Sequence, residues 1–344
     1  MTRSSWYWAK LLAFSTFPGI PLLVPLGYYA GLPWLVPAFA FIGIPVLDLL
    51  IGIDRTAPLG ESAPRLVVVA WLRLVPRLYV FLWLPVLGWG AHVLATEAHG
   101  ATAAWLVASA AIATAFATCA AHELLHWPSR FDFGLSRLIM ATVAYGPFTL
   151  EHLYHHAYVG VRREGTTPPI GQSVWRFLVE NYVFTLRCAW RIERRRQLAK
   201  RQLLIANRFV QQWLLTGLII CIFALIGGTW GLVLFAAQAA FGIFTTEYVN
   251  YAQHYGLSRE PGERQRADLS WNSNSFATNA FTLNITRHVH HHEQPDVPYY
   301  DLEYIDSMPL LPAGYLALFF PALIPALWRR IMDVRARQFA PSAA

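Results

Sequence analysis

Six stretches of roughly twenty residues, 8–30, 32–53, 76–95, 102–121, 209–226 and 230–248, each contain at most one Asp, Glu, Lys or Arg. About 20 apolar residues are what a helix needs to cross a bilayer. In lipid, each spanning segment must also satisfy its own backbone polar groups. The runs therefore predict an all-α chain, an integral membrane bundle of about six transmembrane helices. Charged residues make up only 14% of the sequence, against about 25% in soluble domains, and a lipid-facing surface accounts for the deficit. Two further apolar stretches fit less simply. Residues 138–150 are too few to cross and predict a half-span or interfacial helix. Residues 309–327 are interrupted by Pro312, Pro321 and Pro325 and predict a segment lying against the bundle or in the interface.

Six crossings put both ends of the chain on one side. The connections 97–101 and 227–229 lack Lys and Arg, whereas 54–77 carries Arg55, Arg65, Arg73 and Arg77. A second basic stretch includes Arg187, Arg191, Arg194, Arg195, Arg196, Lys200, Arg201 and Arg208. Cations are retained on the cytoplasmic side, so these segments orient the bundle and need no nucleic-acid partner. The N-terminal residues lead into the first run without a small-residue cleavage pattern, which predicts a retained span rather than a cleaved signal peptide. Cys119, Cys188 and Cys221 show no paired spacing and suggest neither a disulfide framework nor a thiolate metal site. With no repeat and no low-complexity tract, residues 1–344 read as a single membrane-embedded unit.

Ten of the twelve histidines fall in four clusters: His122-Glu-Leu-Leu-His126, Glu151-His152-Leu-Tyr-His155-His156, Asn250-Tyr-Ala-Gln-His254, and Arg287-His288-Val-His290-His291-His292. Each lies at or beyond the cytoplasmic end of a predicted span. The pattern HxxHH occurs twice, although a chain of this composition would contain it about 0.015 times by chance. On a helix, residues i and i+4 project from one face and can reach one ion. Neutral imidazole suits zinc, copper, iron and nickel, and eight or nine ligands are enough for two ions with positions left for oxygen or water. His92 and His99, near the outer end of the third span, read as ordinary interfacial side chains. The HELLH box is also a zinc-protease signature, but such a site has no use for two HxxHH boxes. A metal transporter, the non-enzyme alternative, would spread its histidines and acids through the spans instead of collecting them at one end.

At these residues the chain resembles the membrane-bound alkane monooxygenases, within the fatty acid desaturase and hydroxylase group. The likeness runs through the segment from Leu47-Asp48 to Asp54, the HELLH box, Tyr145-Gly146, Glu151-His152 and residues 171–177. It continues through Asn250 to Leu257, residues 270–274, Asn279, Arg287-His288 and residues 311–315. The resemblance implies a six-helix bundle with a di-iron site at its cytoplasmic face. It implies two iron ions held by His122, His126, His152, His155, His156, His254, His288, His291 and His292. The implied activity is hydroxylation of the terminal carbon of an alkane by dioxygen. It further implies electrons from a rubredoxin- or ferredoxin-type donor with its reductase, and a place in a bacterial-type inner (cytoplasmic) membrane.

Four features depart from the family pattern. The second box has two residues, not three, between its first and later histidines; Gln253 and His290 stand where the family has carboxylates; and Trp127 replaces a basic residue. A carboxylate beside a ligand imidazole fixes its tautomer, so these changes bear on the substrate, which extends to fatty acyl, terpene or aromatic methyl compounds and to desaturation. Glu123, Glu151 and Glu247 are the candidate carboxylate partners of the histidines. Asp48, an ionisable group in an apolar run, reads as functional. No glycine motif for a redox cofactor is present, so electrons must arrive from another protein, for which the Arg191–Arg201 stretch offers a basic docking surface.

Overall fold

The computed structural model describes residues 3–56, 65–161, 166–305 and 308–339. Part of the predicted connection between the second and third runs, 57–64, falls outside them. Among the described residues there are helices and isolated β-bridges but no strand. Helix α1 (Arg3–Thr16) continues through a tight helical turn (Phe17–Leu22) into α2 (Leu23–Tyr29). The chain then returns through α3 (Leu35–Ala38), a π-helical turn (Phe39–Gly43) and α4 (Ile44–Ile51). The long helices α5 (Arg65–Thr96) and α6 (Gly100–His126) follow, then α7 (Arg130–Thr142), α8 (Phe148–Tyr158), α9 (Val174–Ala199) and α10 (Arg208–His254). The remaining elements are the short α11 (Phe276–Phe281) and α12 (His288–Glu293), then α13 (Tyr315–Leu323) and α14 (Pro325–Arg337).

Among the described residues, four helices are long and apolar enough to cross a membrane: Trp6–Tyr29, Leu66–Thr96, Gly100–His126 and Arg208–His254. The sequence predicts six, and the difference arises in two places. The second run folds as a shorter apolar helix, Leu35–Ile51. The fifth and sixth runs both lie within α10. Its 47 residues would extend about 70 Å if straight, but Gly228 takes φ 54°, ψ −134° and interrupts it. The rings of Phe223 and Phe235 are 5.5 Å apart, where a continuous helix would separate them by about 18 Å along its axis. So α10 is a hairpin of two helices turning in the 227–229 segment. A Cβ on Gly231 would overlap the Phe223 carbonyl across the turn. Gly231→Ala is expected to destabilise the fold by about 1–3 kcal/mol, read as a lower unfolding temperature in detergent.

Boundaries elsewhere also shift. Helix α5 starts at Arg65, not residue 76, so Arg73 and Arg77 sit on a helix, with Arg77 paired to Asp132 of α7 at 2.7 Å. The 138–150 stretch is divided between α7 and α8 by a turn in which Ala144 has φ 56°. The 309–327 stretch contributes α13, packed against α10 and α4.

The legs alternate in direction. At one end of the bundle Trp89 reaches Tyr29 and Ser109 bonds the Pro33 carbonyl. At the other, Gln212 donates to Thr149 and Arg287 pairs with Asp54. Helix α6 is central: 61% of its span is buried, against 33–39% for the other three. Its buried alanines, including Ala103, Ala110, Ala113, Ala117 and Ala120, let α5, α7 and α10 approach closely. On the first arm of α10, Leu214, Leu218, Ile222 and Leu225 are all exposed. They form an apolar stripe suited to lipid.

Asp48 has a structural task in the fold. Its carboxylate accepts from the backbone N–H groups of Ala277 (2.7 Å) and Thr278 (3.0 Å), capping the first turn of α11 from another helix.

Candidate metal centre

Four elements deliver histidines to one end of the bundle. The last turns of α6 carry His122 and His126; α8 carries His152, His155 and His156; the second arm of α10 ends at His254; and α12 carries His288, His291 and His292. These nine fall into two groups. His122, His126, His152, His156 and His291 form one, and His155, His254, His288 and His292 the other, with the candidate ligand atoms of each group within 4.8 Å of one another. His92, His99 and His290 belong to neither.

The division follows helical geometry. In α8, residues i and i+4 (His152, His156) face the first group, and His155, a third of a turn away, faces the second. In α12 the arrangement is exchanged: His288 and His292 join the second group and His291 the first. Each HxxHH box therefore straddles both groups.

Within the groups the Nε2 atoms converge. His152 Nε2 lies 2.9 Å from that of His126 and 3.1 Å from that of His156, which is itself 3.1 Å from that of His291. His288 Nε2 lies 3.1 Å from that of His254 and 2.9 Å from that of His292. An imidazole nitrogen has one in-plane position, held by a proton or a lone pair, so an Nε2 with two such neighbours can hydrogen-bond at most one. Lone pairs directed at a shared cation give this spacing: nitrogens about 2.0–2.1 Å from an ion and at right angles are about 3 Å apart. The donor set fits a metal.

The surroundings keep the rings neutral, the form in which imidazole binds metal. Burial, reinforced by neighbouring imidazoles, holds His152, His155, His156, His288, His291 and His292 well below the ordinary histidine range. His254 Nδ1 donates to the Leu269 carbonyl at 3.1 Å, which leaves its Nε2 free to face the group. Thr166 Oγ1 hydrogen-bonds His155 Nδ1.

The candidate carboxylate partners behave differently from expectation. Glu123 accepts from Trp127 Nε1 (2.7 Å) and the Tyr299 N–H (3.0 Å), not from a histidine. Glu247 accepts from Tyr145 and Asn181. Glu151 Oε1 is buried without a hydrogen-bond partner among the described residues; burial and then the nearby Glu247 push its carboxyl up to about 8. The residues that position α12 are ones the sequence motifs did not single out for that task. Arg287, fully buried, pairs with Asp54 at 2.8 Å, and Lys10 reaches the same oxygen at 3.1 Å. Asn272 Oδ1 accepts the Val289 N–H at 2.9 Å. Lys10, a lone cation inside an apolar run, was the available signal.

The fatty acid desaturase family model matches residues 98–322, which include all nine histidines. Alkane 1-monooxygenase 1 of Pseudomonas aeruginosa is 32% identical over 307 residues, covering 86% of this chain and 80% of its own length. Alkane 1-monooxygenase 2 of Alcanivorax borkumensis is 30% identical over 305 residues with the same coverage. The chain belongs to the alkane monooxygenase family. It is thus an oxidoreductase, a membrane hydroxylase of the desaturase group. More distantly, the hydroxylase component of a xylene/toluene monooxygenase from Pseudomonas putida is 26% identical over 60% of the chain and 57% of its own length.

Within the alkane monooxygenase family, the departures noted in the sequence have local explanations. The shortened second box still places His152 and His156 on one face, and His155 reaches the other group. Gln253 donates to the Ile285 carbonyl at 3.0 Å, a bond a carboxylate could not make. His290 turns away from both groups and accepts the Glu303 N–H at 2.8 Å. Trp127 lies under the Arg77 guanidinium, 5.1 Å from its ring centroid.

Proposed function

We propose that this protein hydroxylates a lipophilic hydrocarbon, foremost the terminal carbon of an alkane, with dioxygen. Its electrons come from a rubredoxin- or ferredoxin-type donor. The site is a pair of iron ions held by the nine histidines at the cytoplasmic face of a six-span bundle in the inner membrane. The observation that carries this reading is the convergence of nine imidazoles in groups of five and four. Iron bound there supplies the redox chemistry that activates dioxygen; the chain's own residues do the rest. An apolar passage bordered by Phe41, Ile112, Phe116, Phe241 and Phe319 shares Thr118, Cys119, Val249 and Ile285 with a cavity reaching His122, His152 and His288. A hydrocarbon dissolved in the bilayer can slide along it end-on, and its apolar walls keep water from the reacting carbon. The exposed Arg191, Arg194, Arg195, Lys200 and Arg201 offer an acidic donor a docking surface. Arg196 is engaged with Glu193 instead, at 2.7 Å.

The relationship to the xylene/toluene enzyme favours an aromatic methyl carbon as a second substrate class. Anaerobic reduction, followed by labelled dioxygen and a panel of alkanes, fatty acids and methylarenes, tests both. The expected product is an alcohol carrying one labelled oxygen atom. Alkene alone would make the enzyme a desaturase. No product, with metal that exchanges freely, would point to transport.

A further inference from the structure

Hydroxylation consumes protons as well as electrons. For each turnover RH + O2 + 2 e− + 2 H+ gives ROH + H2O. One C–H bond breaks, one oxygen atom enters the new C–O–H group, and the other leaves as water with both protons. Two one-electron reductions by the donor protein supply the electrons. The apolar passage is lined by no Asp, Glu or His, and its Thr118, Thr245, Tyr248 and Thr282 hydroxyls are taken up by backbone carbonyls.

A second cavity lies between the start of α9 and the preceding segment, and Thr167, Gln172, Arg176, Glu180 and Asn181 give its lining a polar side. Arg176 and Glu180, paired at 2.7 Å, are well exposed and mark its solvent side. Asn181, 4% exposed, donates from its amide to Glu247 Oε2 at 2.6 Å. Glu247 is fully buried. Its other oxygen accepts the Tyr145 hydroxyl, and the Asn250 side chain, one turn further along α10, reaches it too. Asn250 in turn lines the cavity that contains His122, His152 and His288. Glu247 therefore stands between a solvent-accessible polar cavity and the histidine-lined one, with an amide on each side. The titratable groups facing it are Tyr145 and Glu151; its hydrogen-bond partners are all neutral. A carboxyl in an apolar bundle without a cationic partner is costly and is seldom retained for packing alone.

We propose that Glu247 is the proton-transfer residue of this enzyme, passing protons from the polar cavity at Asn181 to the histidine-lined cavity at Asn250. The carboxyl releases a proton inward and is reloaded from solvent through the polar cavity. This inference rests on the hydroxylase reading, and its test separates the two.

Metal-loaded wild type, E247Q and E247D in lipid nanodiscs would be compared with reduced donor and alkane. Removing a proton-transfer group is expected to lower alcohol formation about 100-fold or more in E247Q. E247D and small weak acids such as formate should restore part of the rate, with metal content and unfolding temperature unchanged. Independently of turnover, N,N′-dicyclohexylcarbodiimide adds to protonated carboxyls in apolar surroundings. Mass spectrometry should place its adduct on Glu247 of the resting protein. Wild-type rates in E247Q, losses that neither E247D nor weak acid relieves, or a Glu247 that stays unlabelled would each overturn the proposal. A wild type that makes no alcohol, yet labels at Glu247, would instead sink the hydroxylase reading.

Discussion

On the proposed two-iron reading, alanine in place of His155 should bring bound iron down from two ions per chain to about one and cut alcohol formation more than about 100-fold. The lower bound comes from groups one layer out from a metal, whose loss already weakens binding or activity by about 10–100-fold. His155 belongs to the four-membered group, so its removal leaves three imidazoles there and the five-membered group complete. His156→Ala, one residue along the same helix, draws instead on the group of five and leaves four. It should retain both ions more nearly, although activity falls. Metal analysis on the two purified variants, alongside product chromatography, makes the comparison. Equal iron loss in both would show that the division into five and four does not describe how metal is held.

The second large effect is expected at Asp54. Its carboxylate, with Arg287 at 2.8 Å and Lys10 at 3.1 Å, forms a buried cluster with two cations and one anion. Removing one partner of a buried ion pair typically destabilises by about 3–5 kcal/mol, because the charge left behind is uncompensated. Asp54→Asn would take the shared carboxylate from both cations, and Arg287 directly precedes His288. The unfolding temperature and the metal affinity should therefore fall together. Acid should act through the same group. Burial alone would raise the Asp54 carboxyl, but Arg287, Lys10 and the Thr56 hydrogen bonds outweigh it and hold the group below its ordinary 3.8. A carboxyl depressed in the fold contributes its full stabilisation above its unfolded value and loses it as the pH falls through the folded one. Thermal unfolding should show an acid limb from this group only below about pH 4, and Asp54→Asn should lack it. If the variant unfolds at the wild-type temperature, the cluster does not hold α12 in place.

Much of this was legible in the residues because the relevant signals are local. Apolar runs nearly free of charge located the long helices, and Gly227-Gly228-Thr229 announced the reversal inside α10. The i, i+4 spacing of His122 and His126 already placed both rings on one face. What the sequence withheld depends on partners far away along the chain. Asp48 looked functional because nothing nearby shows the α11 N–H groups it caps 229 and 230 residues later. Glu123, between two histidines, looked like their partner, yet on the helix it points to Trp127 and Tyr299. The assignment of His155 and His291 to opposite groups depends on how α8 and α12 face each other, which periodicity does not encode. Helix α5 was read too short because Arg73 and Arg77 resemble loop cations until Asp132 is seen to receive one of them.

Because α8 lends two rings to one histidine group and one to the other, and α12 does the reverse, an ion held by either group would be held through both helices and would order them together. The first cation to settle would freeze both short helices and relieve the second of most of that ordering entropy. Loading should then be all-or-none, with half-filled chains scarce in the intact protein, and a drift of either helix would disturb both ions at once.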